Sequence, residues 1–300
     1  MRDIFLLFGI LLFLSCSREV TELPALLPEE VNGFQVVWRK NVTSEQKNVI
    51  RSFLQHMVKV EGGRFVLGAT PEQHGWARSN EYPPCHVCLS DFYICKYEVS
   101  EEEYMTIVDD PRASTYSRLS LSWEDWFLFI QILQEMSGVR FDFPTEAQWE
   151  YAARGGIYSK GYIFPGSNNL EEVWTDSEKE GSSVPNELGL YNMADLKSEW
   201  CKDRYESYIG DRYYVDRYVA EGEHQVVRGG NYKCSGETSE YLNGYGGDSF
   251  GYYKSPGTLL SPFDFRYCRS TARSYYYVPS ESLNGSGNSY YIGCRLVINQ

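Results

Sequence analysis

Apolar residues fall at helical spacing from Ser44 to Met57, where Val49, Ile50, Phe53, Leu54 and Met57 share one face. The run from Met57 to Gly68 pauses at Gly62-Gly63, a pattern that predicts a β-hairpin turning on the two glycines. Cys85 to Glu98 is a second strand region. Ser100-Glu101-Glu102-Glu103 has the form of a capping box, opening a helix to about Val108. Ser122 with Asp125 starts another over Trp123 to Met136, closed by Gly138. Thr145-Glu146-Ala147-Gln148 caps a third that runs through Ala153. Beyond Tyr158 the periodicity fades into Gly, Asn, Ser, Asp and Tyr, with short strands expected near Val226–Val227 and from Ile292 to Val297. No internal repeat is visible. The pattern is that of an α+β domain with a few helices, short strands and long ordered loops, which are usually functional or held by ions and dense side-chain bonding.

The first residues have a different grammar. Arg2 precedes an apolar run from Ile4 to Leu14 that is too short to cross a bilayer but has the length of a signal-peptide core. It ends in Phe13-Leu14-Ser15-Cys16, which resembles a bacterial lipobox, where the cysteine is lipidated and becomes the mature N-terminus. The expected organisation is a lipoprotein signal peptide (1–16), a polar tether (17–43) and one domain (44–300). An ordinary cleaved signal and a short anchor helix are the alternatives. Export to the bacterial cell envelope follows, with membrane contact through the lipid on Cys16 only.

Composition narrows the classes further. Lys and Arg number 28 against 41 Asp and Glu, a net charge of −13 over 300 residues. A nucleic-acid partner is not expected, because phosphate binding needs a basic footprint. Of the eight cysteines, Cys85-x-x-Cys88 is the only closely paired set. It follows Pro83-Pro84 and reads as strand, whereas a redox CxxC opens a helix whose dipole lowers the thiol pKa. Packing or a local disulfide is the expected role. The four histidines make no metal motif.

Six segments, in order, resemble the formylglycine-generating enzyme (sulfatase-modifying factor) family. They are Glu61-Gly62-Gly63-Arg64-Phe65-Val66-Leu67-Gly68, Asp91 to Ser100, Phe143 to Gly156, Asn186-Glu187-Leu188-Gly189-Leu190-Tyr191-Asn192-Met193, Val227-Arg228-Gly229-Gly230-Asn231-Tyr232 and Gly293-Cys294-Arg295-Leu296-Val297. The resemblance implies a C-type-lectin-like fold elaborated by long loops. It also implies, as the family's best-known activity, oxidation of a sulfatase cysteine to formylglycine by two cysteines that bind copper.

Copper(I) prefers thiolates, so two cysteines must converge. Cys234 falls where the family has its first catalytic cysteine. Counting back from Ala272-Arg273-Ser274 puts Phe265 at the second, and Cys268 lies three positions later, beyond an insertion from Ser235 to Pro262. Asn231 replaces the serine after the paired glycines, and Ser198 replaces an active-site tryptophan. These departures argue against copper and the oxidase, with Cys234 and Cys268 as a rearranged pair in the alternative. For calcium, the resemblance carries ligand positions onto the side chains of Asn192 and Glu199 and the carbonyls of Asp195 and Lys197. A solvated acidic turn is the plain alternative.

Aromatic residues make up 16% of the chain, with 25 tyrosines. Eleven of these crowd between Asn231 and Tyr291, among Gly, Ser, Asn and Asp. Tyrosine gives large contact area at low entropic cost, which is the composition of a recognition surface. Tyr232, Tyr245, Tyr252, Tyr253, Tyr275, Tyr276 and Tyr277 are its candidate ligand contacts; filling of a loop-rich core is the competing use. The sequence thus points to a diverged, lipid-anchored family member that binds an envelope protein, a peptide or a glycan. An active oxidase and a structural subunit of an envelope complex are the alternatives.

Overall fold

The computed structural model describes residues 28–73, 76–109, 121–175, 181–208, 210, 212–230, 268–277 and 292–300, with backbone only at 274–277. β1 (Glu29–Val31) and β2 (Phe34–Val36) pair as an antiparallel hairpin. Sequence placed this stretch in the tether. Val31 and Val36 instead point inward and join the core, and Trp38 Nε1 donates to Glu29 at 2.7 Å. The folded body therefore already includes residue 29.

α1 (Ser44–Gln55) opens on a capping box in which Thr43 and Gln46 bond each other reciprocally. β3 (Met57–Val60) and β4 (Gly63–Leu67) follow, then β5 (Cys85–Leu89) and β6 (Phe92–Cys95). The expected β3–β4 hairpin does not form. β3 pairs with β6 and β4 with β5, and both pairs keep one antiparallel register. The two segments are a single long ladder interrupted near Gly62, where the chain passes so close to the opposite strand that a Cβ would lie 2.2 Å from the Leu89 carbonyl oxygen. Beyond that crossing the ladder divides between two sheets.

α2 (Glu101–Val108), α3 (Trp123–Ser137), β7 (Phe141–Asp142) and α4 (Glu146–Ala153) come next, each helix with the capping box its sequence announced at Ser100, Ser122 and Thr145. Gly138 takes the left-handed conformation that ends α3. After the short α5 (Leu170–Val173) come β8 (Ser198–Arg204), β9 (Tyr213–Val215), β10 (His224–Arg228), β11 (Arg273–Tyr277), β12 (Ile292–Gly293) and β13 (Val297–Asn299). The single strand expected from Ile292 to Val297 is two: β12 runs parallel to β8, while β13 lies between β6 and β7.

Three larger sheets result, ordered β3-β6-β13-β7, β11-β10-β8-β12 and β4-β5-β9. The helical face of α1, α2 and α3 (Ile50, Phe53, Ile107, Trp126, Phe129, Leu133) packs with Phe141, Ile298 and Trp200 into the larger core. A second core gathers Val60, Leu67, Val87, Phe92 and Ile94 around α4. Cys85 is buried and Cys88 half-exposed, as strand alternation requires of positions three apart. They stay reduced, so the local disulfide considered for this pair is absent and Cys85 serves as core packing. No helix among the described residues is long and apolar enough to cross a membrane.

Candidate functional site

α4 is buried on every face, carboxylates included. That is tolerable only if each charge is paired. Glu150 accepts from Gly68 N–H at 2.9 Å and Arg154 Nε at 3.0 Å, and its other oxygen meets Arg228. Glu146 accepts from Arg273 Nη2 at 2.8 Å and also faces Arg228 and Arg217. Burial opposes its ionisation, but Arg273, Arg228 and Arg217 together hold its carboxyl below the usual range. Asp203 on β8 clamps the start of α4 by accepting from Glu146 N–H at 2.9 Å, and from Val219 N–H at 3.1 Å. Burial, then the neighbouring Glu146 charge, pushes Asp203 up to about 7. A second buried pair, Arg269 with Glu81, fastens the chain after residue 268 to the turn before β5.

The loop leading into β8 carries the four positions nominated for calcium. Asn192 adopts φ 59°, and its side-chain oxygen accepts from Gly181 N–H at 2.7 Å. Its amide donates to Asp195 at 3.0 Å, and that carboxylate also accepts from Thr175 N–H and the Ser183 hydroxyl. Lys197 donates its backbone N–H to Glu98 and its ammonium to Glu101 at 3.3 Å. Glu199 is fully engaged: Arg295 holds it through Nη2 at 2.7 Å and Nε at 3.0 Å, and Trp149 Nε1 donates at 2.7 Å. Calcium needs six to eight convergent oxygens. As arranged, the side-chain oxygens of Asn192 and Glu199 serve protein donors, and a guanidinium already neutralises Glu199, so these residues do not fit the ion. No group of three or more His, Cys, Asp or Glu among the described residues is arranged to hold a metal.

Glu98 is the conspicuous neighbour. It is fully buried, and its Oε2 finds no hydrogen-bond donor among the described residues. Burial, then the Glu199 charge, raises its carboxyl well above the usual range.

Of the positions that the resemblance would place at a catalytic centre, Ser198 donates its hydroxyl to the Gly229 carbonyl at 3.1 Å and so ties β8 to the paired-glycine turn. Cys268 is fully buried with Phe164, Val173 and Ala194. Its sulfur lies directly against Gly230, where a Cβ would come within 2.7 Å of it. The structure thus brings Cys268 beside the start of the segment that bears Cys234, which sequence spacing did not foresee. Cys234 itself lies outside the described residues, as do Cys16, Asn231, Phe265, Tyr232, Tyr245, Tyr252 and Tyr253. Tyr275, Tyr276 and Tyr277 place their backbone in β11, paired with Val226, Gln225 and His224 of β10.

Sequence reading overlooked Glu98, Glu146, Glu150, Arg228, Arg273 and Arg295 as partners. For Glu150, Arg228 and Arg295 the signal was present: each is a charge flanked on both sides by apolar, aromatic or small residues, where an unpaired charge could not be buried.

Comparison with known proteins agrees with this geometry. The Sulfatase-modifying factor enzyme 1-like domain matches residues 42–248. The chain belongs to that family. It is 24% identical over 247 residues to the Chaperone protein LppX of Paenibacillus barcinonensis, matching 61% of this chain and 81% of that protein. It is 33% identical over 123 residues to the formylglycine-generating enzyme of Streptomyces coelicolor, matching 34% of this chain and 38% of the enzyme, so it spans well under half that relative's length. Among solved structures, Treponema denticola variable protein 1 superposes with a TM-score of 0.56 at 18% identity, over 81% of this chain and 95% of that one. PvdO from Pseudomonas aeruginosa superposes at 0.57, also at 18% identity, over 81% and 94%. The fold is the α+β fold of the formylglycine-generating enzymes.

Proposed function

We propose that this protein is an exported, lipid-anchored member of the family that binds an envelope or extracellular ligand and does not oxidise sulfatase cysteines. The observation that carries this reading is the setting of Cys268. It is the thiol that sequence offers as a partner for Cys234, and it is fully buried against Gly230, packed with Phe164, Val173 and Ala194. A copper centre that handles a peptide and dioxygen needs an accessible thiolate. Ser198 in place of the tryptophan supports the same reading. The kinship with a protein named a chaperone is compatible with a binding role, and the tyrosine-rich segment from Tyr232 to Tyr277 has the composition of a contact surface.

The test is copper(I) stoichiometry together with turnover of a C-x-P-x-R peptide. Neither bound copper nor formylglycine is expected. Turnover that disappears in Cys234→Ser would establish the oxidase instead. For the anchor, Cys16→Ser should move the protein from the membrane to the soluble fraction; unchanged partitioning would remove the lipid.

A further inference from the structure

The outer face of β8 carries a surface that neither the loop nor the thiol region uses. Lys202 and Arg204 stand two apart on the strand and so point the same way, while Cys201 and Asp203 are buried. Each cation lies on an aromatic ring. The Arg204 guanidinium is 5.7 Å from the Trp123 ring centre, and the Lys202 ammonium is 5.2 Å from that of Tyr218. The rings are held in place by backbone bonds. Trp123 Nε1 donates to the Cys201 carbonyl at 3.1 Å, and Arg204 N–H donates to the Val219 carbonyl at 2.8 Å, which draws the chain bearing Tyr218 alongside. Trp123 stacks on both Phe143 and Phe127, each 5.2 Å away. The stack runs outward from the core, from Phe143 at 1% exposure to Phe127 at 40%, with Leu128 beside it at 56%.

The two cations differ in what they have left to offer. Lys202 is paired with Asp142 at 2.5 Å. Arg204 lies over the indole with no ion pair among the described residues, so its planar fork is oriented and its donors are unspent. Such a fork matches a carboxylate in bidentate fashion. Trp and Arg with exposed apolar neighbours make the composition of an interface centre. Trp123 already stacks on Phe143 and Phe127 and carries the Arg204 guanidinium, whereas the exposed Phe127 and the aliphatic Leu128 suit an apolar side chain. In a chain of net charge −13, a cationic spot attracts an acidic segment that the rest of the surface repels, which fixes where it lands.

We propose that this face docks an acidic, apolar-bearing segment of a partner protein, with a carboxylate on Arg204 and an apolar side chain against Phe127 and Leu128. The site is built from β8 and α3, and its residues are other than the tyrosines named above. The test uses the full chain in detergent micelles and two fluorescein-labelled peptides of about 15 residues, one alternating Glu with Phe and Leu, the other with Lys in place of Glu. Fluorescence anisotropy should show the Glu peptide binding and the Lys peptide not. Arg204→Glu and Leu128→Glu should each weaken binding about tenfold or more, with thermal unfolding unchanged. Leu128→Glu, on an exposed helix position, decides the matter if Arg204→Glu does not fold. Equal binding of the two peptides, no binding of the Glu peptide at about 1 mM, or indifference to both variants overturns the proposal. Polygalacturonate binding more tightly than the Glu peptide, with the same dependence on Arg204, would reassign the face to an acidic glycan.

Discussion

Arg295 is where a single residue does most for this molecule. Its guanidinium bonds Glu199 and reaches the carbonyls of Cys95, Lys96 and Tyr191, so one side chain joins β6, the loop before β8 and the approach to β13. Removing one partner of a buried pair leaves the other as an uncompensated charge, which costs about 3–5 kcal/mol. Arg295→Met should lower the free energy of unfolding by that order in urea titration, and Glu199→Gln on top should restore part of it. If the double variant is as unstable as the sum of the singles, the pair is not the source. The same arrangement bears on calcium. With a guanidinium already opposite Glu199, EDTA should leave the melting temperature where it was; a fall that added calcium reverses would return the ion to the loop. Sequence alone nominated Glu199 as a calcium ligand and could not show its partner, because Arg295 lies almost one hundred positions away and pairing is settled only by the fold.

At the scale of elements, local chemistry was the most legible part. The capping boxes of α2, α3 and α4 begin where Ser100, Ser122 and Thr145 stand, because the cap is written in four consecutive residues. Ser122→Ala should therefore cost about 1 kcal/mol of stability, measurable by denaturant titration; no loss would mean that burial of Trp126 and Phe129 alone holds the helix. β8 was not legible. Its first four residues are buried irrespective of side, so the alternation that announces a half-exposed strand is missing. The division of the long β3–β4 and β5–β6 ladder was also hidden. Gly62-Gly63 looks like a turn in sequence, and only the close passage against Leu89 reveals it as the point where one ladder serves two sheets.

Taken whole, the molecule concentrates its charge inside as well as on its acidic surface. Around α4, Arg217, Arg228 and Arg273 face Glu146, Glu150 and Asp203. Two of these carboxylates make stability respond to pH in opposite directions. Glu146 is lowered by its arginines, so its contribution is present above the ordinary carboxylate range and is lost as pH falls through its depressed value. Asp203 is raised, to about 7, so the folded state holds its proton more tightly than the unfolded chain does. That contribution is full below the unfolded pKa and is lost as pH rises toward 7. Stability should therefore decline between about pH 4 and 7, and Asp203→Asn should flatten that decline in melting curves. An unchanged slope would assign it to other groups. The overall fold class was legible because its six motifs follow one another in order. The internal ion pairs were not, since their members come from segments far apart in the chain.

The placement of β13 has a consequence for how this protein is made. The strand is not an edge: it sits between β6 and β7, and its neighbour β12 lies in another sheet beside β8. Until residues 292–299 have been synthesised, β6 lacks its inner partner and Glu199 lacks Arg295. A growing chain can close its helices early but completes neither sheet until β12 and β13 have emerged.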